Sequence, residues 1–131
     1  MKDDKLLISS DTPWESLVGY SRAVKVGNLV KVSGTTAMEG DSIFGKGDIY
    51  KQTVLILQKI EKILIEAGSN LSDVIRTRMY VTDIANWEEA GKAHLLFFKS
   101  IKPATTMIEV NRLINDGLLI EIEVTALIQD K

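Results

Sequence analysis

The run LLIEIEVTAL (118–127) restricts the possible folds more than any other stretch. Ile120, Ile122, Val124 and Ala126 fall on one face of a strand, and Glu121, Glu123 and Thr125 fall on the other. With strands expected elsewhere in the chain, this run reads as an interior strand. Two carboxylates on one face of an interior strand need water, partners or a subunit interface.

The other segments supply its neighbours. LLIS (6–9) reads as a short strand and DTPWES (11–16) as a loop with turn residues. YSRAVKV (20–26) and LVKVSGT (29–35) flank Gly27-Asn28, a tight-hairpin signal. MEGDSIFGKGD (38–48) reads as a glycine-rich loop whose Asp48 can cap the next helix. From Ile49 to Ala67, apolar positions recur at helical spacing, and Gly68 suits the left-handed position after the helix. DVIRTRMYVTD (73–83) alternates as a strand. Asn86 can cap a second helix over 87–100, and strands 105–110 and 119–127 follow, joined through NRLINDG. Pro103, with fixed φ and no N–H, suits the start of the first of these. The order predicts an α+β fold: a six-stranded mixed β-sheet with two helices packed on one face, formed by residues 1–131 as a single domain.

Composition removes several function classes. The chain has 131 residues, 45% of them hydrophobic and 26% charged, which suits a soluble globular domain. No apolar run approaches the ~18 residues of a membrane span, and the apolar run in MKDDKLLISS is too short for a secretory signal. Zero cysteines exclude disulfides, thiolate catalysis and Cys-based zinc sites; a single histidine, His94, excludes a multi-His metal site within one chain. The net charge of −2, with no basic stripe, argues against nucleic acid as a partner. No cofactor is expected, and a cytoplasmic location is.

Four segments then point to a family. GYSRAVKVGNLVKVSGTT (19–36), AGSNLSDVIRTRMYVTDI (67–84), FFKSIKPATTMIEV (97–110) and LLIEIEVTAL (118–127), in this order and spacing, resemble the Rid family. These are reactive intermediate deaminases, also called the YjgF or L-PSP endoribonuclease family. The resemblance implies a chorismate-mutase-like subunit, a homotrimer with clefts between subunits, and hydrolysis of 2-imino or 2-enamino acids to 2-oxo acids and ammonia without a cofactor. It assigns the water-positioning glutamate to Glu121. It places Tyr20, Ser33, Gly34, Thr105 and Met107 at the substrate cleft.

One position departs from the pattern. The deaminases carry an arginine after Pro-Ala to hold the substrate carboxylate; here that residue is Thr105. A guanidinium offers a bidentate, charge-assisted pair, whereas a threonine hydroxyl offers one neutral donor. A hydrogen bond to a charged group contributes about 1.5–3 kcal/mol. The sequence is thus similar to a subgroup lacking the deaminase arginine, with an altered substrate range expected. Arg22, placed with Tyr20 on one strand face, is the replacement clamp or else an ion-pair partner of Glu121, Glu123 or Glu109. Ser33-Gly34 is a close backbone approach to ligand or else a bulge. Glu123, Arg76 and Arg78 read as structural ion-paired residues, Arg112 as a surface residue, and His94 as packed and hydrogen-bonded. An imine or enamine hydrolase and a non-catalytic small-metabolite-binding trimer both remain open. The absence of a basic stripe disfavours a ribonuclease, and few cleft cations disfavour a chorismate mutase.

Overall fold

In a computed structural model, which describes residues 5–10 and 12–129, the elements run β1 (Leu6–Ile8), α1 (Pro13–Val18), β2 (Ala23–Val26), β3 (Leu29–Thr35), β4 (Met38–Glu39), β5 (Ser42–Ile43), α2 (Ile49–Glu66), β6 (Val74–Val81), α3 (Trp87–Phe98), β7 (Ala104–Glu109) and β8 (Ile120–Leu127). The expected six-stranded mixed sheet is present, in the order β1-β2-β3-β8-β6-β7. Among the described strands only β6 and β7 pair in parallel, joined by the crossover through α3. β8 is an interior strand between β3 and β6.

Alternation decides the layers. Ile120, Ile122, Val124 and Ala126 are buried with Met79 and Val81 against Ile56, Leu57, Ile60 and Leu64 of α2 and Ala90 of α3. Burying each large aliphatic side chain contributes about 1.5–3 kcal/mol. On the other sheet face, Tyr80, Glu121, Glu123 and Thr125 stay half-buried, while Lys31, Arg78 and Ile108 are exposed. Tyr80 donates from its hydroxyl to Glu123 Oε1 at 2.8 Å, and Arg78 pairs with Glu123 Oε2 at 3.4 Å, so Glu123 is structural as expected. Among the described residues Arg76 makes no ion pair; its Nη2 donates to Thr106 Oγ1 at 2.7 Å.

Asp48 caps α2 by accepting from the Lys51 N–H at 3.0 Å, and Gly68 at φ 82° follows its end. Gln52, fully buried on α2, donates to the Gly117 carbonyl at 2.9 Å and accepts from the Leu119 N–H at 2.8 Å. It thereby ties the approach to β8 onto the helix.

Several local expectations are corrected. The segment read as a loop over 11–16 contains α1; Asp11 itself, like residues 1–4 of the amino-terminal stretch, lies outside the described residues. Pro13 opens this helix at a position where its missing N–H costs nothing. The buried Glu15 carboxylate accepts from Ser10 Oγ at 2.5 Å and from Thr12 Oγ1 at 3.1 Å, anchoring the turn. The glycine-rich loop holds the small β4–β5 hairpin. Asn86 makes no side-chain cap; Asp83 instead accepts from the Ala85 N–H one turn earlier. Strand β2 begins at Ala23, so Tyr20 and Arg22 precede the strand rather than sharing its face.

Candidate functional site

The site forms where β3 bends against β8. Val32 pairs with Val124 but Thr35 pairs with Ile122, so β3 takes three steps where β8 takes two. The bulge falls at Ser33-Gly34 and kinks the strand. It also brings the Gly34 backbone onto the Glu121 side chain: a Cβ at Gly34 would lie 1.9 Å from Glu121 Oε2. Bulge and close approach, alternatives at the sequence level, are thus one feature.

Arg22 reaches the same point from the segment before β2. Its Nη2 donates to the Gly34 carbonyl at 2.5 Å, and its guanidinium lies 5.7 Å from the Tyr20 ring centroid, within cation–π range. The expected alternative, an ion pair to Glu121, Glu123 or Glu109, does not form: among the described residues Arg22 has no carboxylate oxygen within 4 Å. Among the described residues its buried Nε has no hydrogen-bond partner. Ser33 Oγ donates to the Ser21 carbonyl at 2.7 Å, which fixes the segment carrying Arg22.

Burial raises the Glu121 carboxyl above its ordinary pKa, opposed by Arg22 and reinforced by Glu123. Tyr20, Gly34 and Glu121 line both a groove on the open sheet face, with Ser33, Glu123 and Thr125, and a cavity of about 610 Å³ that runs between α1 and α2. Five of the residues expected at the site (Tyr20, Arg22, Ser33, Gly34, Glu121) therefore come together within one chain.

Thr105 and Met107 do not join them. Thr105 pairs in register with Thr77 and Met107 with Met79, on the face that carries the helices. Glu121 pairs with Tyr80, on the opposite face and across β6. Thr105 Oγ1 lies 2.8 Å from Thr77 Oγ1 and donates to the Pro103 carbonyl at 3.1 Å. Thr77 Oγ1 lies 3.0 Å from His94 Nε2, and the His94 ring packs on Phe98 with centroids 4.6 Å apart. His94 is thus packed and hydrogen-bonded, as expected, and burial lowers its pKa. Of the two adjacent β7 threonines, it is Thr106 that shares the Glu121 face.

With this geometry, a family model described as Endoribonuclease L-PSP matches residues 11–128. The chain belongs to this family. A RutC family protein of Pyrococcus abyssi is 37% identical over 108 residues, covering 82% of this chain and 84% of that protein. The crystal structure of Rv2704 from Mycobacterium tuberculosis, a member of the YjgF/YER057c/UK114 family, matches with TM-score 0.86 and 47% identity over 95% of this chain and all of that one. YyfA of Yersinia pestis, from the Rid protein family, matches with TM-score 0.83 and 29% identity over 95% and 99% of the two chains. The fold expected of a Rid-family chain is the fold found.

Among the described residues, no cluster of three or more His, Asp or Glu side chains could hold a metal ion, and no helix is long and apolar enough to cross a membrane. One cavity residue escaped sequence reasoning altogether. Lys59 lies three residues after buried Ile56 and four before Ile63, beside the apolar stripe of α2, a position where a lysine stem is half-buried. Its spacing was the available signal.

Proposed function

We propose that this Rid-family chain forms a homotrimer whose inter-subunit clefts bind small imine, enamine or carbonyl metabolites and hydrolyse the imines. The carrying observation is the Glu121 carboxylate, held half-buried against the Gly34 backbone beside Arg22. A carboxylate with a raised pKa in a partly dry cleft suits general-base work. Glu121 takes a proton from water as the oxygen attacks the imine carbon. With the substrate nitrogen protonated as the iminium, this gives a neutral amino alcohol. Its nitrogen then gains the proton from Glu121 and leaves as ammonia, while the hydroxyl proton passes to the Glu121 carboxylate as the carbonyl forms.

Trimerisation is supported by the register. Within one chain Thr105 and Glu121 lie on opposite faces of the sheet, so a single site containing both needs a second copy. The uncharged Thr105, already bonded to Thr77 and Pro103, is a poor substitute for a carboxylate-binding arginine. Arg22, which lacks a carboxylate partner among the described residues, takes over that role. The engaged Thr105 hydroxyl also favours a second reading, in which the cleft binds its metabolite without turnover.

An oxidase-coupled assay with 2-iminopropanoate and 2-iminobutanoate tests the reading. Weak turnover is expected, abolished by Glu121→Gln and raised by Thr105→Arg. Turnover that survives Glu121→Gln overturns the assigned chemistry. The absence of turnover in both wild type and Thr105→Arg favours the binding reading. A monomer at micromolar concentration in sedimentation overturns the trimer.

A further inference from the structure

We infer that the ligand extends from this cleft into the cavity between α1 and α2, where Lys59 and Arg22 together hold an acid group and Trp14, Ile63 and Ile114 pack against an apolar body. The inference rests on the metabolite-cleft reading and names the ligand class it would take: a carboxylate carrying an aryl or branched alkyl group.

Size is the first argument. A cavity of about 610 Å³ exceeds the needs of a three- or four-carbon imino acid. It falls within the roughly 300–1,000 Å³ typical of sites that enclose larger organic ligands. Trp14 and Val18 of α1, Ile63 of α2 and Ile114 of the segment before β8 supply apolar wall. Tyr20, Gly34 and Glu121 are common to the cavity and the groove, so the two are continuous.

Charge is the second. Lys59 Nζ donates to the Thr36 carbonyl at 2.7 Å and the Met38 carbonyl at 3.0 Å. An ammonium has three donors, so one remains for a ligand. Arg22 is likewise held by a carbonyl and retains unused donors. Neither cation has a carboxylate oxygen within 4 Å among the described residues. They also repel each other: burial first, and then the Arg22 charge, lower the Lys59 pKa, with Glu39 opposing. Two half-buried like charges bound only to neutral acceptors gain from an anion placed between them. The nearby acids do not fill that place: among the described residues none of Asp41, Glu66 and Glu121 of the cavity wall, nor Glu39 beside it, comes within 4 Å of either cation, and Glu121 rests against Gly34.

The competing role for Lys59 is a structural staple between α2 and the β4 region. The two roles separate by calorimetric titration of phenylpyruvate, pyruvate and the uncharged analogue phenylacetone into wild type, Lys59→Met, Lys59→Arg and Trp14→Ala. Phenylpyruvate is expected to bind wild type more tightly than pyruvate, and phenylacetone not to bind. Lys59→Met should weaken phenylpyruvate at least tenfold with melting temperature little changed. Lys59→Arg should retain binding, and Trp14→Ala should erase the preference over pyruvate. Unchanged phenylpyruvate affinity in folded Lys59→Met overturns the inference, as does a wild type that prefers pyruvate or binds neither acid. If Lys59→Met fails to fold, unchanged selectivity in Trp14→Ala overturns it instead. Imine turnover measured on the same preparations separates the two levels. Turnover that persists with unaltered KM in Lys59→Met leaves the cleft reading standing and removes only this extension.

Discussion

Glu121 Oε2 occupies the space that a side chain on Gly34 would need, 1.9 Å from where its Cβ would sit. Gly34 has no left-handed backbone, so a larger residue there meets the carboxylate rather than conformational strain. Gly34→Ala should therefore fold, at an overpacking cost of about 1–3 kcal/mol, with the carboxylate swung aside. Displacing a reacting group by about an ångström costs up to about a hundredfold in rate. Imine turnover should fall accordingly while the circular dichroism spectrum is retained. Undiminished turnover would mean that the carboxylate position is not used.

Glu121 also sets a pH dependence. Its folded-state pKa is raised from the ordinary 4.5, chiefly by burial. Its contribution to stability is thus fully present below 4.5 and is lost as pH rises through the raised value. Glu121→Gln stays neutral throughout. It should melt higher than wild type at pH 7, with the gap closing as pH falls toward 4. Catalysis runs the other way: wild-type turnover should decline on acidification through the same range, as the base becomes protonated. A melting temperature at pH 7 no higher than wild type would contradict the burial argument.

Thr77, fully buried, bridges His94 Nε2 and Thr105 Oγ1. Thr77→Val keeps the shape and removes both bonds, leaving the half-buried imidazole nitrogen unpaired. Urea denaturation should show a loss of about 1–3 kcal/mol. Burial lowers the His94 pKa below 6.5, so His94 contributes stability above that value that is lost as pH falls through its folded pKa. A variant as stable as wild type would show that the bridge contributes nothing.

The alternation in 73–83 and 118–127, the helical spacing after Asp48 and the Gly27-Asn28 turn were enough to read the strands, the two main helices and the mixed sheet from the chain alone. Each is local, because the period of a strand or helix is written in consecutive residues. Glu121, Gly34 and Tyr20 were named through the family resemblance, and the fold brings them to one groove. Tertiary structure decided what lies between the segments. Parity along β7 puts Thr105 and Thr106 on opposite faces, but only the pairing of Thr105 with Thr77 says which face is which; a one-residue slip would exchange them. Likewise the β3 bulge, which seats Gly34 on Glu121, exists only in the register between two strands far apart in sequence. Lys59 and Arg22 line one cavity because α2 packs on β3, and no pattern within either segment records that shared wall.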